Sequence, residues 1–243
     1  MIRLAIRKAL WKFPRIKLLI KGLIDTITQG KREALTMAEL IRLLNKDNPV
    51  ILDIGCNDGG HTKHFLENFN KAEVYSFEPD NRAIELYKKN IKNSRAKLFE
   101  IALSDEDGQT VFHSSSGNST EIERDWHKSG SIKKPKHHLD IHPWCKFETK
   151  FTVKTQKLDT WAKENKIKKI DFIWADVQGA EKNLIIGGIE TLKNTRYFYT
   201  EYSNIELYEG QLNLKNIKKL LPGFKIIRKY RNDVLFKNIR EEI

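Results

Sequence analysis

The stretch Val50–Gly60, reading V-I-L-D-I-G-C-N-D-G-G, limits what this chain can fold into. Val50 to Ile54 is a short, β-branched apolar run, which predicts a strand buried on both faces. Asp53 sits near its end. Glycines at 55, 59 and 60 then punctuate a loop, and a helix is expected from His61. A strand, a glycine-rich turn and a helix in that order make the ligand corner of an open α/β sheet, beyond the carboxyl ends of its strands.

The remaining punctuation supports alternating strands and helices. Thr36-Met37-Ala38-Glu39 predicts a capping box opening a helix to about Asn45. Glu73–Phe77 reads as a second strand ending in Glu78-Pro79, with Asp80 capping a helix that carries Ile84, Tyr87 and Ile91. Lys97–Leu103 reads as strand three. Asp107-Gly108 is a turn signal, so Gln109–His113 is expected to return as a short antiparallel strand. Residues 114–146 carry serines, glycines, histidines and lysines without periodicity. Long irregular stretches inside compact domains are uncommon and usually functional. Alternation resumes at Phe147–Val153. Ile170–Trp174 and Tyr197–Tyr202 are further buried strands, and Phe224–Ile227 with Val234–Phe236 forms a hairpin-like tail.

Charge is unevenly placed. Of the formal +12, nine cations against the single acid Asp25 lie in residues 1–32, leaving only about +4 for the rest. A nucleic-acid enzyme spreads cations along its substrate groove, so nucleic acid is not the favoured partner. Apolar residues at helical spacing over 2–13 and 16–27 predict two basic amphipathic helices. They are suited to packing on the domain or a partner protein, or to an anionic membrane surface through residues 2–28. Two distant cysteines, Cys56 and Cys145, argue against a disulfide framework. No apolar run reaches the roughly 18–20 residues that span a bilayer. The expected location is the cytoplasm, with peripheral membrane contact left open. The expected organisation is an N-terminal segment 1–47 and a catalytic domain 48–243, with an acceptor lid at about 114–146.

The corner has a chemical bias. Glu78, 25 positions beyond Asp53, stands where an acid accepts hydrogen bonds from ribose hydroxyls. G-C-N-D-G-G lacks the third glycine of a dinucleotide loop, and Asp53 and Asp58 would repel a pyrophosphate. Acids suit a nucleoside that carries positive charge, such as S-adenosylmethionine. Spacing alone leaves a methyltransferase, a dinucleotide oxidoreductase and an empty Rossmann-like corner as the readings.

Four segments resemble the FkbM family of S-adenosylmethionine-dependent methyltransferases: Val50–Gly60, Tyr75–Pro79, Leu158-Asp159 with Ile170–Glu181, and Val234–Phe236. The most specific part is D-V-Q-G-A-E at 176–181. Gln178 replaces the family's usual glutamate, and Cys56 its usual alanine. The resemblance implies a Rossmann-like class I methyltransferase: a seven-stranded, mostly parallel sheet with its last strand antiparallel and helices on both faces. It also implies a hydroxyl acceptor, here read as a sugar in a glycan or glycoconjugate. On this reading Asp53, Gly55, Cys56, Asn57, Gly59, Glu78, Pro79 and Ala102 hold the cofactor. Asp176, at the end of a central strand, is the first candidate base, and His113 and His138 of the irregular segment are the others. Asp176 and Glu201, together with Glu181, offer carboxylates for a divalent cation, though a metal is not favoured. His138-x3-His142-x2-Cys145 has zinc-like spacing but lacks a clear second pair. Two rival readings remain. An RNA 2′-O-methyltransferase would need lysines beside the strand-end acid, where only Lys182 stands. A non-catalytic S-adenosylmethionine-binding subunit would use the same fold.

Overall fold

The computed structural model describes residues 34–118 and 126–240. The two basic helices expected before residue 28 lie outside the described residues. Seven strands form one sheet in the order β3-β2-β1-β7-β8-β10-β9. They are β1 (Val50–Ile54), β2 (Glu73–Phe77), β3 (Ala96–Phe99), β7 (Ile170–Ala175), β8 (Thr195–Glu201), β9 (Phe224–Lys229) and β10 (Asp233–Asn238). All pairings are parallel from β3 to β8, while β10 runs antiparallel to both β8 and β9. This is the class I methyltransferase sheet expected from the sequence, with the hairpin-like tail in its predicted place.

The strand period sorts the core. Leu52 and Ile54 of β1 join Tyr75, Phe77, Ile173, Ala175, Phe198 and Phe236 on one face. Ile51 joins Val74, Phe172, Tyr197, Tyr199 and Leu235 on the other. The first face is covered by α5 (Leu158–Glu164), α6 (Glu181–Gly187), α7 (Ile189–Lys193) and α8 (Leu214–Leu220) through Trp161, Leu184, Leu192 and Ile217. The second is covered by α1 (Met37–Leu44) and α2 (Gly60–Asn68), through Leu40, Leu44, Phe65 and Leu66. Each fully buried side chain of this size contributes roughly 1.5–3 kcal/mol. Thr36 caps α1 by accepting from the Glu39 amide (3.3 Å). The expected capping box is only half made, because the Glu39 carboxylate turns to Arg228 on β9. The helix α3 (Asn81–Asn90) follows β2 and is capped by Asp80.

One part departs from the expected order. The third strand does not run to Leu103: it ends at Phe99, and Ala102–Ser104 forms β4 in a separate three-stranded sheet. The Asp107-Gly108 turn does not return the chain onto strand three either. Strand β5 (Gly108–Ser116) pairs antiparallel with β6 (Lys146–Lys157), which lies between it and β4. The Asp107 carboxylate accepts from the Lys157 amide (2.7 Å) and the Thr160 hydroxyl (2.8 Å), so the turn is tied to α5. Within 114–146, the first residues extend β5 and His138–Ile141 makes a single helical turn, α4. Apart from Lys146, which opens β6, the rest of the described segment is irregular.

Candidate active site

A cavity of about 290 Å³ opens beyond the carboxyl ends of β1, β2 and β7. One wall is the glycine loop from Gly55 to Asp58 with Gly60. A second is Phe77, Glu78 and Pro79; Ala102 and Leu103 extend it. The opposite wall comes from the inserted segment: His127, Lys128, Gly130, Ser131 and Ile132. Asp176, Val177 and Gln178 form the floor.

The glycine loop is shaped by backbone contacts. The amides of Gly55 (2.9 Å) and Cys56 (3.1 Å) both donate to the Phe77 carbonyl, and the Asp176 amide donates to the Ile54 carbonyl (2.9 Å). Gly55 has φ +78°, and a Cβ there would lie 1.9 Å from the Asp176 carbonyl oxygen. Only glycine fits a left-handed backbone at that approach.

Glu78 is buried at the end of β2. Its Oε2 accepts from the Asn57 amide (2.9 Å) and its Oε1 from the Asp80 amide (2.8 Å). A carboxylate has about four lone-pair sites, so two remain for a ligand. Burial pushes its pKa up to about 8, against the pull of those two amides. Asp53 is also fully buried but does not line the cavity. It accepts from the Thr62 hydroxyl (2.6 Å) at the start of α2, and burial raises its pKa to about 7. Gly59 likewise stands off the cavity, packed against Tyr87 and Ile91. The remaining expected cofactor contacts, Gly55, Cys56, Asn57, Glu78, Pro79 and Ala102, are all brought to the lining.

Asp176 is the acid on the floor. Gln178, at φ +48°, turns its side chain back so that Nε2 donates to Asp176 Oδ1 (2.6 Å) and to Glu201 Oε2 (3.4 Å). The Tyr208 hydroxyl lies 2.9 Å from Gln178 Oε1 and 2.8 Å from the Ser129 carbonyl. Ser131 donates its hydroxyl to the Gln178 carbonyl (2.7 Å). Burial raises the Asp176 pKa, while the Gln178 hydrogen bonds and the Lys128 charge oppose that rise. Glu201 is pushed well above the usual carboxylate range, first by the Asp176 charge and then by burial. An amide thus bridges the two carboxylates that the sequence marks as a possible cation pair. Among the described residues, no three His, Cys, Asp or Glu side chains converge as metal ligands.

The two candidate histidines lie elsewhere. Alternation along β5 turns Phe112 into the cavity, whereas His113 is absent from the lining and its backbone pairs with Ser131. His138 is buried among His142, Phe147 and Tyr208, with ring centroids 5.0, 5.1 and 5.4 Å away. Burial lowers its pKa to about 4. Trp126 and Trp144 meet edge to face at 5.4 Å, and Trp126 Nε1 donates to Ser129 Oγ (2.8 Å); they anchor the segment. Sequence reasoning gave no role to Lys128, Ser131 or Tyr208, because none falls on a periodic face.

The geometry fits a cationic nucleoside. Asp58, Glu78 and Asp176 line one space, and Asn57 Oδ1, also in the lining, is buried with no protein partner. The profile of the Methyltransferase FkbM domain matches residues 53–242. The chain belongs to the FkbM methyltransferase family. It is 45% identical over 207 residues to 2-O-methyltransferase NoeI of Sinorhizobium fredii, covering 83% of this chain and 84% of that protein. A solved FkbM methyltransferase from Methylobacillus flagellatus superposes with a TM-score of 0.47 at 13% identity over 79% of this chain, which spans only 44% of that chain. A putative caffeoyl-CoA O-methyltransferase from Staphylococcus aureus gives a TM-score of 0.42 at 12% identity, over 96% of this chain and 98% of that one. As in other members of such a family, the methyl donor is S-adenosylmethionine. Glu78, Asn57 and the Gly55-Cys56 backbone are the residues that would hold it.

Proposed function

We propose that this protein transfers a methyl group from S-adenosylmethionine to a hydroxyl of a sugar in a glycan or glycoconjugate, with the 2-hydroxyl as the first position to test. The observation that carries this reading is the 45% identity to a 2-O-methyltransferase along most of both chains. The cavity supports a cationic methyl donor: Asp58, Glu78 and Asp176 all line it.

S-adenosylmethionine supplies a methyl carbon already activated by its sulfonium. The chain therefore has three tasks. Glu78 takes the ribose hydroxyls on its two remaining lone-pair sites, which draws its raised pKa back down. The inserted segment covers the cavity and keeps water from competing with the acceptor. Asp176 accepts the acceptor's hydroxyl proton as the oxygen takes up the methyl group. A base works best when its pKa lies near the working pH, and burial lifts Asp176 in that direction. Gln178 holds the Asp176 carboxylate in one orientation through its bond to Oδ1. His113 and His138 have no part in this proposal, since neither lines the cavity. No step calls for a divalent cation.

The test is methyl transfer from labelled S-adenosylmethionine to a panel of oligosaccharides, with the methylated position located by NMR. Transfer to a ring hydroxyl that Asp176→Asn abolishes is the expected result. Cofactor binding without transfer to any sugar, alongside transfer to RNA, would overturn the acceptor assignment.

A further inference from the structure

The cavity holds a charge imbalance that the roles above leave unused. Its lining carries three carboxylates, Asp58, Glu78 and Asp176, and Asp53 lies buried just behind. Among the described residues that line it, Lys128 is the only Lys or Arg. A nucleoside with only positive charge would need no such group. The amino-acid end of S-adenosylmethionine, however, carries a carboxylate as well as an ammonium, and that carboxylate would be repelled by the acids around it.

Lys128 is placed by contacts on both sides of it. The Asn57 side-chain amide donates to the His127 carbonyl (3.3 Å), and the Ser129 amide donates to Ser115 Oγ (3.1 Å). Two residues further on, Ser131 exchanges backbone hydrogen bonds with His113 at 2.7 and 3.1 Å. The ammonium then reaches back over the glycine loop, 3.6 Å from Asp58 Oδ2. Its charge is felt both at His61, at the start of α2, and at Asp176, at the end of β7. It therefore stands at the glycine loop, in the lining it shares with His61 and Asp176. Its ion pair with Asp58 is long and half exposed, the kind worth little by itself. The ammonium retains donors for a second anion.

We propose that Lys128 binds the α-carboxylate at the amino-acid end of the cofactor. The assignment rests on the S-adenosylmethionine reading above. It gives the inserted segment a direct part in cofactor binding, besides forming a wall for the acceptor.

Two ligands separate the possibilities by calorimetry. S-adenosylhomocysteine has the amino-acid end, whereas 5′-methylthioadenosine is the same thioether nucleoside without it. Lys128→Ala should weaken S-adenosylhomocysteine about tenfold, the low end for a charge-assisted hydrogen bond. It should leave 5′-methylthioadenosine within about twofold, and Lys128→Arg should recover most of the loss. Equal weakening of both ligands would assign Lys128 to loop placement and overturn the proposal. No change in either ligand would also overturn it. If the unmodified protein bound neither ligand, the cofactor reading itself would fail, and the assignment with it. Thermal melts of each variant keep misfolding distinct from lost binding.

Discussion

The two walls of the cavity are built differently. The donor wall, Gly55–Asp58 with Glu78, is set by backbone: strand ends in fixed register, a left-handed glycine and amides shared with Phe77. The acceptor wall, His127–Ile132 with Gln178 and Tyr208, has one backbone pairing, Ser131 with His113, and is otherwise set by side chains: Asn57 and Ser115 hold it from the glycine loop and β5, Ser131 bonds Gln178, and Tyr208 bonds both Ser129 and Gln178. A wall held by backbone tolerates side-chain change but not a change of shape. A wall held mainly by side-chain hydrogen bonds behaves in the opposite way. Cofactor affinity and acceptor chemistry should therefore respond to different mutations, Lys128 being the acceptor-wall residue proposed to reach the cofactor.

The strongest break is Asp176→Asn. Removing a general base costs about 10²- to 10⁴-fold in rate, so kcat should fall by about that factor while S-adenosylhomocysteine affinity stays within a few-fold. Equal loss of both would show that Asp176 serves the donor wall. Next is Glu78→Ala, which removes a doubly accepting buried carboxylate. Charge-assisted hydrogen bonds contribute roughly 1.5–3 kcal/mol each, so calorimetry should show S-adenosylhomocysteine weakened by at least about tenfold. Third is Tyr208→Phe, which strips the hydroxyl that touches both Ser129 and Gln178. It should cost about 1–3 kcal/mol of stability in denaturant melts. It should also move the acid limb of the kcat profile without moving cofactor affinity. Gln178 would then be free to shift, and Asp176 is faced by Asp53, Glu78, Glu181, Glu201, Asp233 and Tyr208, with Lys128 the opposing charge.

The smallest effect expected is in pH dependence. Burial raises the folded-state pKa of Asp53 to about 7, of Glu78 to about 8 and of Glu181 to about 7. Between their ordinary values and these, the folded state binds more protons than the unfolded one. Stability from these groups is thus full below about pH 4 and is lost as pH rises toward 8. The melting temperature of the ligand-free protein should fall between pH 5 and 8, and Glu78→Gln should flatten that slope. A melting temperature that rose over this range would contradict the assigned burial.

The same contrast explains what the sequence disclosed. The donor wall is local in the chain: a strand, three glycines and an acid 25 positions on are enough to place it. Asp176 was legible for the same reason, as an acid directly after a buried run. The second sheet was not, because β5 finds its partner β6 across about thirty residues that include the aperiodic segment, and the nearby turn signal pointed to the wrong neighbour. His113 and His138 drew notice as titratable groups in that segment. One is buried on β5 away from the cavity lining and the other in an aromatic nest, and composition reports neither position. Lys128 and Ser131 carry no pattern at all. A small-residue run, Ser129-Gly130-Ser131, was the one available sign of close packing: a Cβ on Gly130 would fall 2.5 Å from the Phe112 ring.

The approach of Gly55 to the Asp176 carbonyl bears on how such an enzyme can diversify. With 1.9 Å separating that carbonyl from where a Cβ would stand, any side chain at position 55 deforms the donor loop and the strand end carrying the base together. Mutational paths to a new acceptor are therefore closed at this junction. They lie open along the side-chain clasps of residues 126–145, where one substitution changes a few local contacts. Lineages that keep the donor chemistry can explore new substrates there, one residue at a time.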